Sequence, residues 1–227
     1  LTMRGAGCAL RNNAARYGAA LYAYTGASVD VDGCELSGNA AAEAGGAVFA
    51  FGNNTQVRIT NATLERNSAT LGGAVATLSL ATLSVAGSTL GSNYAFRGGA
   101  LYSSLSTVSL ASTSVVANNA SEGGGLRVYL GGITLTDASL SGNVARGCTA
   151  SERAALQPGE GCGDAGALFL WSTSAVCVDT VLSANHAARY GGGIRGLSAT
   201  LALQGSSSSL LLNSAGRYFH PQSAASA

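Results

Sequence analysis

The chain has 227 residues, of which 47% are hydrophobic, 10% charged and 6% aromatic, and glycine alone contributes 32. Small residues dominate this composition, which favours a closely stacked repetitive fold over a globular enzyme built on large core side chains. The net charge of +1, with arginine as the only basic residue besides histidine, excludes an electrostatic footprint for nucleic acid or an anionic membrane surface. No stretch reaches the length of about 18 apolar residues that a membrane span needs.

A short motif, an aliphatic residue followed three positions later by asparagine, recurs along the whole chain. The steps between successive asparagines are 26, 28, 26, 25, 25, 42 and 28 residues, so only one step is irregular. Self-similarity at this period is typical of solenoids. The repeated asparagines are Asn13, Asn39, Asn67, Asn93, Asn118, Asn143, Asn185 and Asn213.

Within each repeat the hydrophobic period is two, which predicts strands with one buried face. Val29 and Val31 flank Asp30, and later repeats keep this alternation. A further strand follows each glycine pair, so we expect three short strands per repeat. Repeats of 25 to 28 residues without a helix predict an all-β fold, a right-handed parallel β-helix of about eight turns. We expect one domain over residues 1–220, a loop insertion at about 147–163, and a flexible tail over 221–227.

The repeated asparagines are predicted to be structural. Stacked in one register, they would form an internal amide ladder along a tight bend, where asparagine tolerates the left-handed conformation and its side chain bonds to the next turn. This interpretation is favoured over a catalytic role.

The repeat resembles that of the polymorphic outer membrane proteins, a pectin-lyase-like β-helix family. The resemblance is carried by segments such as Gly45-Gly46-Ala47-Val48 and Leu64-Glu65-Arg66-Asn67, and it covers nearly the whole chain. Members of that family more often have phenylalanine where this chain has leucine before the asparagine. The family occurs on bacterial surfaces and in algal extracellular and ciliary assemblies, so the resemblance implies a non-enzymatic surface role in adhesion or assembly.

The cysteines predict two disulfides. Cys8 and Cys34 each stand five residues before a ladder asparagine, so they share a register on adjacent turns at a spacing that a disulfide accepts. Cys148 and Cys162 flank the extra residues of the 42-residue step, where a bond would close the loop. Cys177 holds an inward position and is interpreted as a buried free thiol. The alternative is that all five cysteines are reduced.

Three sequons, at Asn53, Asn61 and Asn119, are predicted to lie in bends or loops and to accept glycans. Sequons are frequent by chance in a chain rich in serine, threonine and asparagine. Together with paired cysteines they indicate a secreted or cell-surface protein.

Residues that could carry chemistry are sparse. Asp30 and Asp32 face outward in one turn, but the next turn has Arg58 and Thr60 at these positions, so no acidic cluster builds. The two histidines, His186 and His220, have no companion at metal-ligand spacing. We therefore expect no enzyme activity, no cofactor and no metal.

One outward feature is predicted to be a binding face. Residues that directly follow the inward aliphatic of the last strand form an aromatic and arginine stripe, which would stack on one exposed face. Either the side chains stack on one another for stability or they bind a partner, since aromatic and arginine residues are enriched at interfaces. The candidate binding residues are Tyr22, Phe49, Tyr102, Arg127, Phe169 and Arg195.

Taken together, these patterns predict a rigid extracellular module that binds other extracellular or membrane proteins through the stripe or through the solenoid ends. It would serve in a cell-surface or ciliary-surface complex, beside a membrane channel or receptor, or in a surface filament. The alternative function is carbohydrate binding, or a degenerate carbohydrate-active enzyme, along the stripe. No nucleic acid partner is expected.

Overall fold

The computed structural model describes residues 1–5, 7–154 and 161–216. Their strands wind as a parallel β-solenoid of eight turns, with one short helix inserted in the sixth turn. In chain order the elements are β1 (Thr2–Arg4), β2 (Ala9–Arg11), β3 (Ala14–Tyr17), β4 (Leu21–Tyr24); β5 (Ser28–Asp32), β6 (Glu35–Ser37), β7 (Ala40–Ala44), β8 (Val48–Phe51); β9 (Gln56–Thr60), β10 (Thr63–Glu65), β11 (Ser68–Leu71), β12 (Val75–Leu78); β13 (Thr82–Ala86), β14 (Thr89–Gly91), β15 (Tyr94–Arg97), β16 (Leu101–Ser104); β17 (Thr107–Ala111), β18 (Ser114–Val116), β19 (Asn119–Glu122), β20 (Leu126–Tyr129); β21 (Gly132–Thr136), β22 (Ser139–Ser141), β23 (Val144–Ala145), α1 (Ala150–Ala154), β24 (Leu168–Trp171); β25 (Ser174–Val178), β26 (Val181–Ser183), β27 (His186–Ala187), β28 (Ile194–Leu197); and β29 (Thr200–Gln204), β30 (Ser209–Leu211), β31 (Ser214–Ala215).

The strands assemble into four parallel sheets that run the length of the solenoid. Sheet A collects the first strand of each turn, from β1 to β29, and sheets B, C and D collect the second, third and fourth strands. The predicted all-β parallel β-helix of about eight turns is confirmed. Each complete turn has four strands instead of the expected three, because the residues directly after each ladder asparagine form sheet C. That segment is rich in alanine and polar residues. Its alternation of apolar and polar residues is therefore too weak to predict a strand from the sequence.

The interior is one continuous narrow core. Sheet A contributes two inward residues per strand, such as Val57 and Ile59, and sheet B contributes one leucine or valine, such as Leu64. These side chains are almost fully buried and stack directly on their equivalents in the neighbouring turns. One turn alone could not bury them, so stability comes from stacking.

Paired glycines form the corner between sheets C and D. The first glycine of a pair, such as Gly72 at a φ of 64°, adopts the left-handed conformation that favours glycine. The second approaches the backbone of the next turn so closely that a Cβ on Gly73 would lie 2.2 Å from the carbonyl oxygen of Gly99. The glycine pairs therefore permit both the sharp corner and the turn-to-turn spacing.

The asparagine ladder is present along the whole solenoid. Asn118 is typical: its backbone N–H and its Nδ2 both donate to Oδ1 of Asn143, at 3.0 Å each, and Nδ2 also donates to the carbonyl of Leu90 at 2.9 Å. Its own Oδ1 accepts two hydrogen bonds from Asn93. The six inner asparagines are buried, and the two end members, Asn13 and Asn213, are half-buried.

The expectation that the ladder asparagines themselves adopt the left-handed conformation is wrong. The residue before each of them does so, for example Ala117 at a φ of 53° and Arg66 at 54°. This outward-facing residue makes the bend, so that the asparagine side chain is free to point inward along the ladder.

Two features fasten the first turn to the second. The predicted disulfide between Cys8 and Cys34 is present, with a Cα–Cα distance of 4.7 Å. Three arginines of the first turn also pair with acidic residues of the second turn, one in each of sheets A, B and C. The pairs are Arg4 with Asp30, Arg11 with Glu35 and Arg16 with Glu43.

The predicted second disulfide, Cys148 to Cys162, is also present and closes the insertion in the sixth turn. Within it, α1 begins after Thr149, whose backbone N–H and hydroxyl both donate to Glu152. Cys177 is a buried free thiol as predicted, and desolvation raises its pKa to about 11. The predicted tail over residues 221–227 and the last residues of the predicted domain lie outside the described residues.

The ladder allows a test of what holds the turns together. Asn118→Ala would leave the carbonyl of Leu90 and the N–H of Asn93 buried without partners, so we expect the free energy of unfolding to fall by about 3 kcal/mol or more. Asn213→Ala, at the half-buried end of the same ladder, serves as the control, with an expected loss of about 1 kcal/mol. Equilibrium urea denaturation measures both. Equal losses would contradict a ladder whose strength depends on burial.

Candidate functional site

The residues of the predicted stripe stack in register in the structure, but most of them are buried instead of exposed. Tyr22 is 53% exposed, whereas Phe49, Tyr102, Arg127 and Phe169 are each 8% exposed or less. The prediction of an exposed binding face is therefore wrong along the middle of the stripe. Cross-strand pairing places its members one above the other in the order Tyr22, Phe49, Ala76, Tyr102, Arg127, Phe169 and Arg195.

Sheet C is the physical reason for this burial. The last side chain of each sheet C strand packs over the stripe from the other side of the glycine corner. In the first three turns these covering residues are Tyr17, Ala44 and Leu71, which belong to one apolar cluster. The Tyr17 and Phe49 rings stack with centroids 5.2 Å apart, which makes a second, smaller hydrophobic cluster outside the main core.

The same position carries charged residues in the next three turns, namely Arg97, Glu122 and Asp164. Glu122 ends its sheet C strand and pairs with Arg127, with 2.8 Å between Oε2 and Nε, and both side chains are only 3% exposed. The Arg127 guanidinium also lies 5.5 Å from the ring centroid of Tyr102 and 5.3 Å from that of Phe169. Arg127 is thus held by the carboxylate of Glu122 and by two aromatic rings.

A second buried carboxylate follows in the next turn. Asp164 is 1% exposed and accepts two hydrogen bonds from Arg189, at 2.8 Å from Nε and 2.7 Å from Nη2. Arg195, the last member of the stripe, pairs with the same carboxylate. Both buried acids of this face are therefore engaged by arginine and face no open space.

Other candidate acids and metal ligands are isolated. Asp137 and Asp179 have φ values of 50° and 46°, a left-handed conformation that aspartate tolerates at turns. Across residues 1–5, 7–154 and 161–216, no group of three or more histidine, cysteine, aspartate or glutamate residues could hold a metal ion. His186 contacts Ser214, and His220 lies outside the described residues.

A second row of side chains lies two residues beyond the stripe on every strand of sheet D, and four of its seven members are aromatic. Tyr24 is 57% exposed, and its ring stacks on Phe51 at a centroid distance of 5.7 Å. Tyr129 contacts Trp171 edge-to-face at 5.5 Å. The rings are half-buried beyond the first turn and form what we name the apolar column: Tyr24, Phe51, Leu78, Ser104, Tyr129, Trp171 and Leu197.

Sequence reasoning missed the apolar column although strand alternation places residues i and i+2 on the same face. The signal was an aromatic residue two positions after four of the seven members of the stripe, such as Tyr24 after Tyr22. Nothing in one strand's sequence indicates that sheet C covers the first of these two positions and leaves the second uncovered.

A second surface feature is a cleft between the outer face of sheet C and α1. It has a volume of about 570 Å³, and its lining includes Ala42, Thr70, Tyr94 and Phe96 of sheet C together with Glu152 of α1.

Arg146 links two residues that line this cleft, Tyr94 of sheet C and Glu152 of α1. Its Nη2 donates to the Tyr94 hydroxyl at 2.6 Å, and its Nη1 donates to Glu152 at 3.0 Å. The hydrogen bond from Arg146 is the main cause that lowers the pKa of Glu152 to about 2, with further contributions from Thr149. The carboxylate therefore stays ionised at neutral pH.

The three sequons differ in accessibility. Asn53 lies in a turn and Asn61 in a bend, and both are exposed as predicted. Asn119 lies on strand β19 instead of a loop and is half-buried, because it directly follows a ladder asparagine and belongs to sheet C. The prediction of a loop position is therefore wrong for Asn119.

The sheets, the core and the ladder define the protein as a parallel β-solenoid. No family model matches the chain, and searches of curated proteins and solved structures found no match either. The polymorphic outer membrane protein repeat thus stays a resemblance of motifs. The disulfides are compatible with a secreted or extracellular protein. Over the part of the chain that the structure describes, no helix is long and apolar enough to cross a membrane.

The buried ion pair under the stripe can be tested for a structural role. Glu122→Gln would leave Arg127 as a buried cation without its counter-charge, so we expect a loss of about 3 to 5 kcal/mol in the free energy of unfolding. Glu43→Gln breaks the exposed pair with Arg16 and should change stability much less. Urea denaturation at pH 7 compares the two variants. A tolerated Glu122→Gln would refute the view that this pair holds sheets C and D together.

Proposed function

We propose that the protein is a non-enzymatic extracellular β-helix module, a rigid binding, assembly or adhesion element of a cell-surface or ciliary-surface complex. The observation that carries this proposal is the apolar column of sheet D. It places aromatic side chains in an ordered line on a scaffold whose strands are paired turn to turn. Tyrosine, tryptophan and phenylalanine are the residues enriched at the centres of protein interfaces.

Rigidity supports the same function. Because the backbone of each turn is hydrogen-bonded to its neighbours, the spacing of Tyr24, Phe51, Tyr129 and Trp171 is fixed before a partner binds. A preorganised surface loses little conformational entropy on binding. The partners we propose are other extracellular or membrane proteins, including a membrane channel or receptor or the subunits of a surface filament.

The chemistry of the acids supports a role other than catalysis. A glycosidase needs two carboxylates that flank an open substrate site. Glu122 and Asp164 are buried and paired with arginines, and Glu152 is paired with Arg146. The extracellular location is supported by the two disulfides and by the exposed sequons at Asn53 and Asn61.

Photo-crosslinking from the apolar column tests the proposal. The chain has no lysine, so amine-reactive reagents would report little, and a photoreactive aromatic amino acid is incorporated at Tyr24 or at Trp171 instead. We expect one and the same protein to be captured from both positions in native surface extracts. Tyr94, which is exposed on sheet C, is the control position. Capture of that protein equally well from Tyr94, or no protein capture at all, would refute binding through this column.

The cleft beside α1 favours carbohydrate binding as the second candidate function. The Tyr94 ring is held by Arg146 as a fixed wall, and the ionised Glu152 and the hydroxyl of Ser68 also line the cleft. An aromatic face next to hydrogen-bonding groups suits a neutral sugar ring, and the volume is of the size that small ligands occupy.

Ligand-observed NMR with neutral trisaccharides tests this alternative. Tyr94→Ala should abolish saturation transfer to the sugar, whereas Tyr22→Ala, an exposed aromatic on sheet D, should leave it unchanged. If none of the trisaccharides binds at millimolar concentration, or if both variants behave alike, the cleft is not a sugar site.

A further inference from the structure

Two arginines of the seventh turn share one buried carboxylate. The guanidinium of Arg189 donates to Asp164 through Nε and Nη2, at 2.8 and 2.7 Å, and Arg195 of sheet D pairs with the same carboxylate. Tyr190 contacts both arginines, whose Cζ atoms lie 5.0 and 4.9 Å from its ring centroid. The cluster therefore holds two positive charges and one negative charge. We name Arg189 and Arg195 the arginine pair.

The excess charge of the arginine pair is not balanced by a second acid. Among the residues that the structure describes, only Asp164 forms an ion pair with these two arginines. Residues 180–227 contain three arginines but no aspartate or glutamate. The buried Glu122 of the preceding cluster is already shared by Arg97 and Arg127, at 3.8 and 2.8 Å. One positive charge of the arginine pair thus lacks a counter-charge.

The arginine pair is accessible from solvent. The side chain of Arg189 is 26% exposed and that of Arg195 is 21% exposed. Within the described ranges, Nη1 of Arg189 and Nη2 of Arg195 donate to no acceptor. Burial lowers the pKa of Arg195, although the charge of Glu122 acts in the opposite direction. Partly buried donors without an acceptor are unfavourable, and an anion that accepts from them would remove this cost.

The chain itself shows which group such an arginine binds. The sequence Ala-Ala-Arg-Tyr-Gly occurs twice, at residues 14–18 and 187–191. In the first copy, Nε of Arg16 donates to Glu43 at 2.7 Å, and the hydroxyl of Tyr17 donates to the same carboxylate. Glu43 belongs to the turn that follows the first copy. No acidic residue follows the second copy, so a carboxylate can reach it only from another molecule.

We propose that the arginine pair binds a carboxylate of a partner protein, the side chain of an aspartate or a glutamate. The inference rests on the proposed function as an assembly module and names the chemistry of the partner. Both guanidinium groups touch Oδ2 of Asp164, so they lie close enough together to share one further carboxylate. The planar guanidinium presents N–H donors whose spacing matches carboxylate oxygens.

The position of the arginine pair next to the apolar column favours a protein partner. Arg195 stands two residues before Leu197, the last member of the column, on the same face of β28. Side chains at this separation are about 7 Å apart along a strand. A protein segment that lays apolar side chains on Trp171 and Leu197 would therefore bring an adjacent acidic side chain within reach of the arginine pair.

An NMR titration of the arginine side-chain Nε–Hε signals tests the proposal. The probe is N-acetyl-aspartic acid amide, which carries a single carboxylate, and sodium chloride at equal ionic strength is the reference. We expect saturable shifts of the Arg189 and Arg195 signals with the probe and no saturation with chloride. The affinity should fall as ionic strength rises, because the contact is partly exposed and electrostatic. A sulfated monosaccharide is titrated in parallel, since its sulfate oxygens could also accept from guanidinium groups.

Variants separate this contact from general electrostatic attraction. Arg195→Gln leaves the one-to-one pair of Arg189 and Asp164, so it removes the excess charge without leaving the buried acid unpaired. We expect it to weaken binding of the aspartate probe about tenfold or more. Arg195→Lys keeps the charge but not the planar fork and should lose less. Arg16→Gln is the matched control and should leave binding unchanged, because Arg16 is already paired with Glu43.

Three results would overturn the inference: no saturable shift at Arg189 and Arg195, equal losses in Arg195→Gln and Arg16→Gln, or binding of the sulfated monosaccharide without the aspartate probe. The proposed function is tested separately by capture from Tyr24 and Trp171. A protein captured equally well by Arg195→Gln would retain the proposed function and contradict the carboxylate contact. Binding of the aspartate probe without any captured protein would retain the carboxylate site and contradict the proposed function.

Discussion

Every feature of this protein depends on the requirement that each turn lies one strand spacing from the next. The buried asparagine ladder meets this requirement inside the solenoid, because each of its six inner side chains bonds to the asparagine of the following turn and to the carbonyl of a leucine or valine in the preceding turn. The glycine corners also permit this spacing, because glycine lacks the Cβ atom that would collide with the backbone of the neighbouring turn. Small residues in the core follow from the same narrow cross-section.

Stacking converts each outward position of the repeat into a column, and the surroundings of each column decide its role. The stripe lies under sheet C, so its side chains must find partners there. The rings of Tyr22 and Phe49 pack against Tyr17 of sheet C. Arg127 instead pairs with Glu122, and Arg195 pairs with Asp164. Two residues further along the same strands no sheet covers the side chains, and aromatic residues at these positions remain accessible.

The aromatic surface that we assign to binding, the apolar column, uses regular strand positions, so its geometry is set by sheet D. Because the strands of this sheet are paired turn to turn, aromatic residues two positions beyond the stripe are aligned along the solenoid without a special backbone conformation.

The sequence by itself determined the repeat, the parallel β-helix, the ladder and the Cys8–Cys34 disulfide, because each of these depends on register and register is a property of spacing along the chain. The Cys148–Cys162 disulfide was predicted from a different signal, two cysteines that flank the irregular step. Cys8 and Cys34 could be paired from their common distance to Asn13 and Asn39 alone. The tertiary structure decided which outward columns are covered. The burial of Phe49, Tyr102 and Arg127 depends on sheet C, whose residues show no clear alternation, and on the angle at the glycine corner. Neither is encoded in the strand that carries these side chains, since burial of an outward residue depends on what folds over it.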